Sequence, residues 1–131
     1  MGASTLSDIC LLIVDDDPNV RDILQVCFEE MGAVAVTADS AEEAMFLFQR
    51  LRPQIVLTDI AMPVHDGFWL LGQLRALERS YTQTPVIAMT ASRAPVGSAV
   101  RAKFDGWIEK PFDFAELVTL VEQQARARKA A

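Results

Sequence analysis

The chain has few of the residues that build disulfide frameworks or zinc sites. Its 131 residues include two cysteines and one histidine. Cys10 and Cys27 have neither CxxC nor zinc-site spacing, which indicates two buried, reduced thiols in a cytoplasmic protein. No apolar stretch approaches the roughly 20 residues of a membrane span. The N-terminus, residues 1–8, lacks the basic and apolar regions of a signal peptide.

Basic residues are also too few for an electrostatic nucleic-acid surface. The net charge of −6 argues against direct contact with nucleic acid by this domain. The length predicts a single domain over residues 1–131, with a core of about 8–127 and no output domain in the chain. A domain of this size buries roughly two thirds of its unfolded surface and therefore needs no disulfide or metal to fold.

Short apolar runs alternate with helical patterns from end to end. This alternation predicts βαβ units, and so an α/β fold with a doubly wound parallel sheet and helices on both faces. The predicted strands cover about 9–14, 33–37, 54–59, 85–90 and 106–109. The predicted helices cover about 18–31, 41–51, 66–79, 93–102 and 112–127. Pro95 and Gly97 disfavour a regular fourth helix, which we expect to be short or distorted.

Polar residues stand at the ends of the predicted strands. The first strand is followed by three acids at 15–17, the third ends at Asp59, the fourth at Thr90 and the fifth precedes Lys110. The carboxyl ends of parallel strands converge on the crevice where open α/β sheets bind ligands. Carboxylates packed together repel one another, so we expect a cation among them, and hard oxygen ligands favour Mg²⁺.

Two further motifs accompany these strand ends. Asp59-Ile60-Ala61-Met62-Pro63 is followed by Asp66-Gly67, and the fifth strand continues into Lys110-Pro111-Phe112. Together these segments resemble the receiver domain of two-component response regulators over nearly the whole chain. The resemblance implies a five-stranded sheet of flavodoxin-like order 2-1-3-4-5. It also implies a function: Asp59 accepts a phosphoryl group from a histidine kinase or phosphotransfer protein, and the signalling surface then switches.

The resemblance also assigns roles to individual residues. It implies that Asp16 and Asp59 bind Mg²⁺ directly, with the backbone carbonyl of Ala61, and that Asp15 acts mainly through water. The Thr90 hydroxyl and the Lys110 ammonium are expected to contact the phosphoryl oxygens. Charge develops on those oxygens during phosphoryl transfer, and a metal and preorganised donors stabilise it. The Lys-Pro bond in this motif is usually cis in the family.

Two segments depart from the family pattern. Trp107 stands where the family usually has a Tyr or Phe switch residue, so Thr90 and Trp107 are the expected switch pair. Residues 103–106 replace the more usual small Gly-Ala run. Both departures fall on the surface that receivers generally use for signalling, and they bear on output rather than on phosphorylation.

The resemblance implies a protein that is not a conventional enzyme but catalyses its own aspartyl phosphorylation and dephosphorylation. Its partners would be the kinase and an unidentified downstream protein, without membrane contact, and the family allows a phosphorylation-dependent dimer. The alternative is a non-phosphorylated, receiver-like interaction module. A third interpretation is an enzyme such as an aspartate phosphatase, which commonly has a second Asp where this chain has Ala61.

Three other side chains have competing interpretations. His65 is expected to be a solvated loop residue rather than a phosphate carrier. Phe46 and Trp69 fall outside the apolar stripes of their predicted helices, so we expect both to face outward. They are either scattered exposed aromatics or parts of a contact surface.

Overall fold

Five strands alternate with five helices in the described part of the chain. The computed structural model describes residues 6–77, 83–91 and 97–130, and of residues 101–102 and 128–130 the backbone. The strands are β1 (Cys10–Val14), β2 (Val34–Ala38), β3 (Ile55–Asp59), β4 (Val86–Ala91) and β5 (Gly106–Lys110). The helices are α1 (Pro18–Glu30), α2 (Ala41–Leu51), α3 (Gly67–Leu77), α4 (Ser98–Lys103) and α5 (Phe114–Ala130).

The strands form one parallel sheet in the order β2-β1-β3-β4-β5. The predicted fold class and strand order are therefore confirmed. The register pairs Val14 with Thr58 and Asp59 with Met89. On the outer side, Ala91 pairs with Lys110. This register aligns the carboxyl ends of β1, β3, β4 and β5 along one edge of the sheet.

Alternate side chains of each central strand enter different cores, because successive residues of a strand point to opposite faces. Leu11 and Ile13 belong to the core beneath α1 and α5. Leu12 and Val14 belong to the core shared with α2 and α3. Because helices cover both faces of the sheet, β1 and β3 consist of nearly continuous apolar residues. Two cores, one on each face, make the sheet a rigid platform for the residues at its edge.

Local sequence determines where the first two helices begin. The carboxylate of Asp17 accepts a hydrogen bond from the Asn19 amide at 2.9 Å, and Pro18 is the first residue of α1. At the start of α2, Ser40 Oγ accepts from the Glu43 amide at 3.1 Å. The start of α1 places Asp16 in a short turn between β1 and that helix.

The observed bounds agree with the predicted ones to within a few residues. The main difference is the fourth helix, which was expected over 93–102. Residues 92–96, including Pro95, lie outside the described part of the chain, and α4 begins only after Gly97 and has 6 residues. Residues 78–79 of the predicted third helix also lie outside it.

The unusual segment 103–106 supplies a core residue. Phe104 is buried, and its ring meets that of Phe68 edge-on, with centroids 5.3 Å apart. A large ring here fills the space between α3 and the short α4, where the resemblance implied a small residue. This departure therefore has a packing explanation.

Both cysteines are free and half-buried, so the expectation of buried thiols was only partly right. Burial raises the pKa of the Cys10 thiol. Among the helices that the structure describes, none combines the length and the apolar character needed to cross a bilayer.

Candidate functional site

The carboxyl ends of three strands bring charged side chains together at one edge of the sheet. Asp15 follows β1, Asp59 is the last residue of β3 and Lys110 is the last residue of β5. Asp15, Asp16 and Asp59 each offer a carboxylate oxygen within 4.8 Å of the others. The acids expected at this edge therefore lie together, with an ammonium group beside them.

Asp15 is fully buried, and both of its carboxylate oxygens are occupied by protein donors. The Lys110 ammonium donates to Oδ2 at 2.7 Å, and the Asp17 amide donates to Oδ1 at 2.9 Å. A buried carboxylate needs such partners, since leaving it unpaired is costly. With both oxygens engaged, Asp15 is placed to orient Lys110 and the turn that follows β1.

Lys110 lies between the two buried acids. Its Nζ is 2.7 Å from Asp15 Oδ2 and 3.6 Å from Asp59 Oδ2. Burial by itself lowers the pKa of Lys110, but the hydrogen bond to Asp15 and the charge of Asp59 outweigh it and leave the pKa raised. The ammonium therefore stays charged, and it points at the carboxylate expected to react.

Asp59 is nearly buried, with 9% of its surface exposed. The Ala61 amide donates to its Oδ1 at 3.3 Å. Burial is the main cause of its raised pKa; the Lys110 charge opposes the rise, while Asp15 and Asp16 add to it. The charges of the two neighbouring acids thus disfavour the ionised form of Asp59, and a nearby cation would favour it.

The donor set of this cluster fits a hard divalent cation. Asp16 is exposed, so its carboxylate is open to a ligand, whereas that of Asp15 is occupied. Three carboxylates in one small volume supply oxygen ligands of the kind that Mg²⁺ prefers. A dication would also offset the mutual repulsion of the acids.

Thr90 and Trp107, the expected switch pair, lie on β4 and β5. Thr90 is buried, and its hydroxyl donates to the Ile108 carbonyl at 3.4 Å. It follows Met89, the register partner of Asp59. Trp107 is half-buried and packs against the core that contains Phe104. The hydroxyl thus belongs to the strand that pairs with β3, and the indole packs against the core of the α2–α3 face.

The loop between β3 and α3 is tied to α2 and α3 by His65. Its ring stacks on Trp69, with centroids 3.9 Å apart, and its Nε2 lies 3.7 Å from Glu42 Oε2. His65 and Trp69 were expected to be solvated and outward-facing, but each is half-buried in this stack. Phe46 is 55% exposed as expected, with the Arg50 guanidinium 4.3 Å from its ring centroid.

Two residues that support the site carried no recognisable signal of this role in the sequence. Arg21 on α1 donates to the Asp15 carbonyl at 2.7 Å. Gly67 packs so closely that an added Cβ would lie 2.8 Å from the Asp59 carbonyl oxygen. The Asp-Gly pair at 66–67 marked a helix start, but the close contact depends on how α3 packs on β3.

An open apolar cavity of about 660 Å³ adjoins Lys110. It lies between α1 and the segment after β5, where Val20 and Ile23 face Pro111 and Phe112. Ile23 is 62% exposed. The Lys110-Pro111 bond on the far wall is cis, as the resemblance implied. Of the charged residues at this edge of the sheet, Lys110 is the one that lines the cavity.

The chain matches a family described as the response regulator receiver domain over residues 11–122. It is 40% identical over 125 residues to an uncharacterised 14.6 kDa protein of Leptolyngbya boryana. The aligned region covers 94% of this chain and 95% of that protein. It is 36% identical over 126 residues to response regulator Rre1 of Synechocystis. The aligned region covers 93% of this chain and 54% of that protein.

Solved structures share the fold. The receiver domain of Francisella response regulator 1452 superposes with a TM-score of 0.80 at 28% identity, covering 92% of this chain and 98% of that one. The chain thus spans nearly all of some relatives and about half of Rre1.

Proposed function

Because this chain belongs to the response regulator receiver domain family, we propose that it is a phosphorylatable switch. Asp59 accepts a phosphoryl group from the phosphohistidine of a histidine kinase or phosphotransfer protein. The protein promotes its own phosphorylation and dephosphorylation but is not a conventional enzyme. We propose that residues 1–131 form a single receiver domain with its core at about 8–127.

One observation carries this proposal. The Lys110 ammonium lies 3.6 Å from Asp59 Oδ2 while it is anchored on Asp15 at 2.7 Å. A nearly buried carboxylate with a fixed ammonium beside it is prepared for a reaction that places negative charge next to it. A carboxylate that served only to cap a loop would not need this arrangement.

The reaction transfers a phosphoryl group from nitrogen to oxygen. Asp59 Oδ attacks phosphorus as the P–N bond to the donor imidazole breaks, and the imidazole takes a proton from solvent. Lys110 stabilises the charge on the phosphoryl oxygens, and the Thr90 hydroxyl is proposed to turn toward them. Asp16, Asp59 and the Ala61 carbonyl would hold Mg²⁺, with Asp15 acting through water, and the ion would neutralise developing charge.

The switch is proposed to begin at Thr90. Its hydroxyl now donates to the Ile108 carbonyl at 3.4 Å, a long bond that is easily exchanged for one to a phosphoryl oxygen. Its departure would leave room beside β5 for Trp107 to repack. The phosphoryl group shifts the population toward the second packing because it interacts more favourably with it.

The apolar cavity beside Lys110 supports a site for the donor protein. It is open, and its walls include Val20 and Ile23 on α1. A partner with an apolar surface could cover it and bring a phosphohistidine to Asp59. We propose a cytoplasmic setting, an unidentified downstream partner and, on phosphorylation, a dimer. We propose no direct contact with nucleic acid.

The proposal is tested by incubating the protein with acetyl phosphate or phosphoramidate and recording its intact mass. With Mg²⁺, the wild-type protein is expected to gain one phosphoryl group. Without divalent metal, or in Asp59→Asn, the gain is expected to be lost. Asp22→Asn, an exposed acid on α1, is the matched control and should gain phosphate as the wild type does.

No phosphate on the wild-type protein with either donor would favour the receiver-like interaction module. Multiple turnover of a generic phosphomonoester would instead favour the phosphatase. Equal phosphorylation of Asp59→Asn and wild type would show that the acceptor is another residue.

A further inference from the structure

The Arg21 guanidinium donates to a backbone carbonyl rather than to a carboxylate. Its NH1 donates to the Asp15 carbonyl at 2.7 Å in a half-buried position. Among the residues that the structure describes, Arg21 forms no ion pair with an acid. The contact is therefore one of shape and hydrogen bonding rather than of charge pairing.

This bond completes the fixation of Asp15. The Asp15 amide donates to the Ala38 carbonyl at 3.2 Å, so the residue is held from β2 as well. Its side chain is held by Lys110 and by the Asp17 amide. The backbone carbonyl is the remaining polar group, and it accepts the hydrogen bond from Arg21. All four polar groups of Asp15 are thus bonded within the protein.

The Asp15 carbonyl belongs to the peptide that leads into Asp16. Asp16 is exposed and forms no hydrogen bond of its own within the described part of the chain. Its position therefore depends on its neighbours: Asp15 on one side and the Asp17 cap of α1 on the other. Arg21 links both, because it lies one turn into α1, where its amide donates to the Asp17 carbonyl at 3.2 Å.

We infer that Arg21 is a positioning residue for the metal site. Its guanidinium holds the Asp15–Asp16 peptide so that the Asp16 carboxylate faces Asp59 before a cation arrives. The planar fork of arginine is suited to a fixed contact of this kind. The inference deepens the proposed function and rests on its assignment of Mg²⁺ to Asp16 and Asp59.

Two effects of removing Arg21 have opposite signs. Loss of a positive charge near an acidic cluster would tighten the binding of a dication. Loss of a fixed turn would weaken it, because Mg²⁺ demands near-ideal octahedral geometry. Groups that orient metal ligands typically contribute 10- to 100-fold in affinity. Positioning therefore predicts weaker binding, and charge alone predicts tighter binding.

The test is isothermal titration of the full chain with MgCl₂. Arg21→Met is expected to bind Mg²⁺ about tenfold more weakly than the wild type. Arg21→Lys keeps the charge without the fork and should also bind more weakly, though less so. Arg50→Met removes the same charge from the last turn of α2, at the opposite edge of the sheet, and should bind as the wild type does.

A second readout separates positioning from general loss of structure. Urea unfolding in metal-free buffer shows whether Arg21→Met is folded; if it is not, Arg21→Lys carries the comparison. Phosphorylation of the variant should approach the wild-type rate at saturating Mg²⁺ and fall below it at low Mg²⁺. A rate deficit that persists at saturation would overturn the inference.

Tighter or unchanged Mg²⁺ binding in a folded Arg21→Met would also overturn it. Failure of the wild-type protein itself to bind Mg²⁺ would instead refute the metal part of the proposed function. The two failures are therefore distinguishable from the same titrations.

Discussion

Lys110 and Asp15 are joined across the sheet by a hydrogen bond of 2.7 Å, with β3 and β4 between their strands. The two residues are 95 positions apart in the chain. The Asp15 carboxylate is completely buried, whereas Lys110 keeps 27% of its side chain exposed. The bond therefore connects the first and last strands of the site and stabilises a carboxylate that could not be buried alone.

Removal of the ammonium should destabilise the protein strongly. Lys110→Met leaves the buried Asp15 carboxylate without its cation, and we expect a loss of roughly 3 kcal/mol in the free energy of unfolding. Urea denaturation at pH 7 measures it, with the exposed Lys103→Met as control. Below the ordinary lysine pKa of 10.5 the contribution is fully present, and it is lost as pH rises through the raised pKa of Lys110.

The losses of stability caused by substituting Lys110 and Asp15 should also be non-additive. Asp15→Asn with Lys110→Met removes both charges, so the double variant should lose less stability than the sum of the single variants. Additive losses would mean that each residue acts through other contacts.

Asp59 should lower the stability of the metal-free protein at neutral pH. Burial is the main cause of its raised pKa, so the folded state binds more protons than the unfolded state between the ordinary value of 3.8 and that raised pKa. Stability therefore falls as pH rises through this window. At pH values above the raised pKa, Asp59→Asn should be more stable than the wild type. This difference in stability should shrink as the pH is lowered toward 3.8.

Urea unfolding of both proteins in EDTA across this pH range measures the difference. Mg²⁺ should make this difference in stability smaller at neutral pH, because the ion binds the folded wild type more tightly than the folded variant. A difference that is independent of pH would contradict the assigned burial cost.

Gly67 should tolerate no side chain. In Gly67→Ala the new Cβ would lie 2.8 Å from the Asp59 carbonyl oxygen and 2.9 Å from Ile60 Cα, both backbone atoms. We expect a loss of about 2 kcal/mol and slower phosphorylation. Gly72→Ala is the matched control on the same helix, with no atom within 4 Å, and should gain about 0.5 to 1 kcal/mol. Equal thermal unfolding of the two variants would contradict the close packing of α3 on β3.

Phe104 should contribute core stability despite its unusual place. Phe104→Ala removes a ring that is 5% exposed and packs on Phe68, so we expect a loss of about 3 kcal/mol by chemical denaturation. Phe46→Ala is the control, because its ring is 55% exposed and the loss should stay near 0.5 kcal/mol. Similar losses in both would argue against the packing role.

The sequence predicted the elements well because strong local signals mark them, such as Asp17-Pro18 before α1 and the apolar run of β1. The cluster of acids could be predicted because parallel strands align their carboxyl ends. The contacts of Arg21 and His65 could not, since each depends on the packing of separate elements. Phe104 appeared as a departure from the family pattern, and only the three-dimensional packing shows the space that it fills.

The proposed function requires that Asp59 carries the phosphoryl group. Sodium borohydride reduces an aspartyl phosphate to homoserine, which tandem mass spectrometry can locate after phosphorylation with acetyl phosphate and Mg²⁺. We predict homoserine at position 59 alone, and none when the metal is chelated. Homoserine at another aspartate, or none at position 59 in a protein that has gained phosphate, would contradict the assignment of Asp59 as the phosphoacceptor.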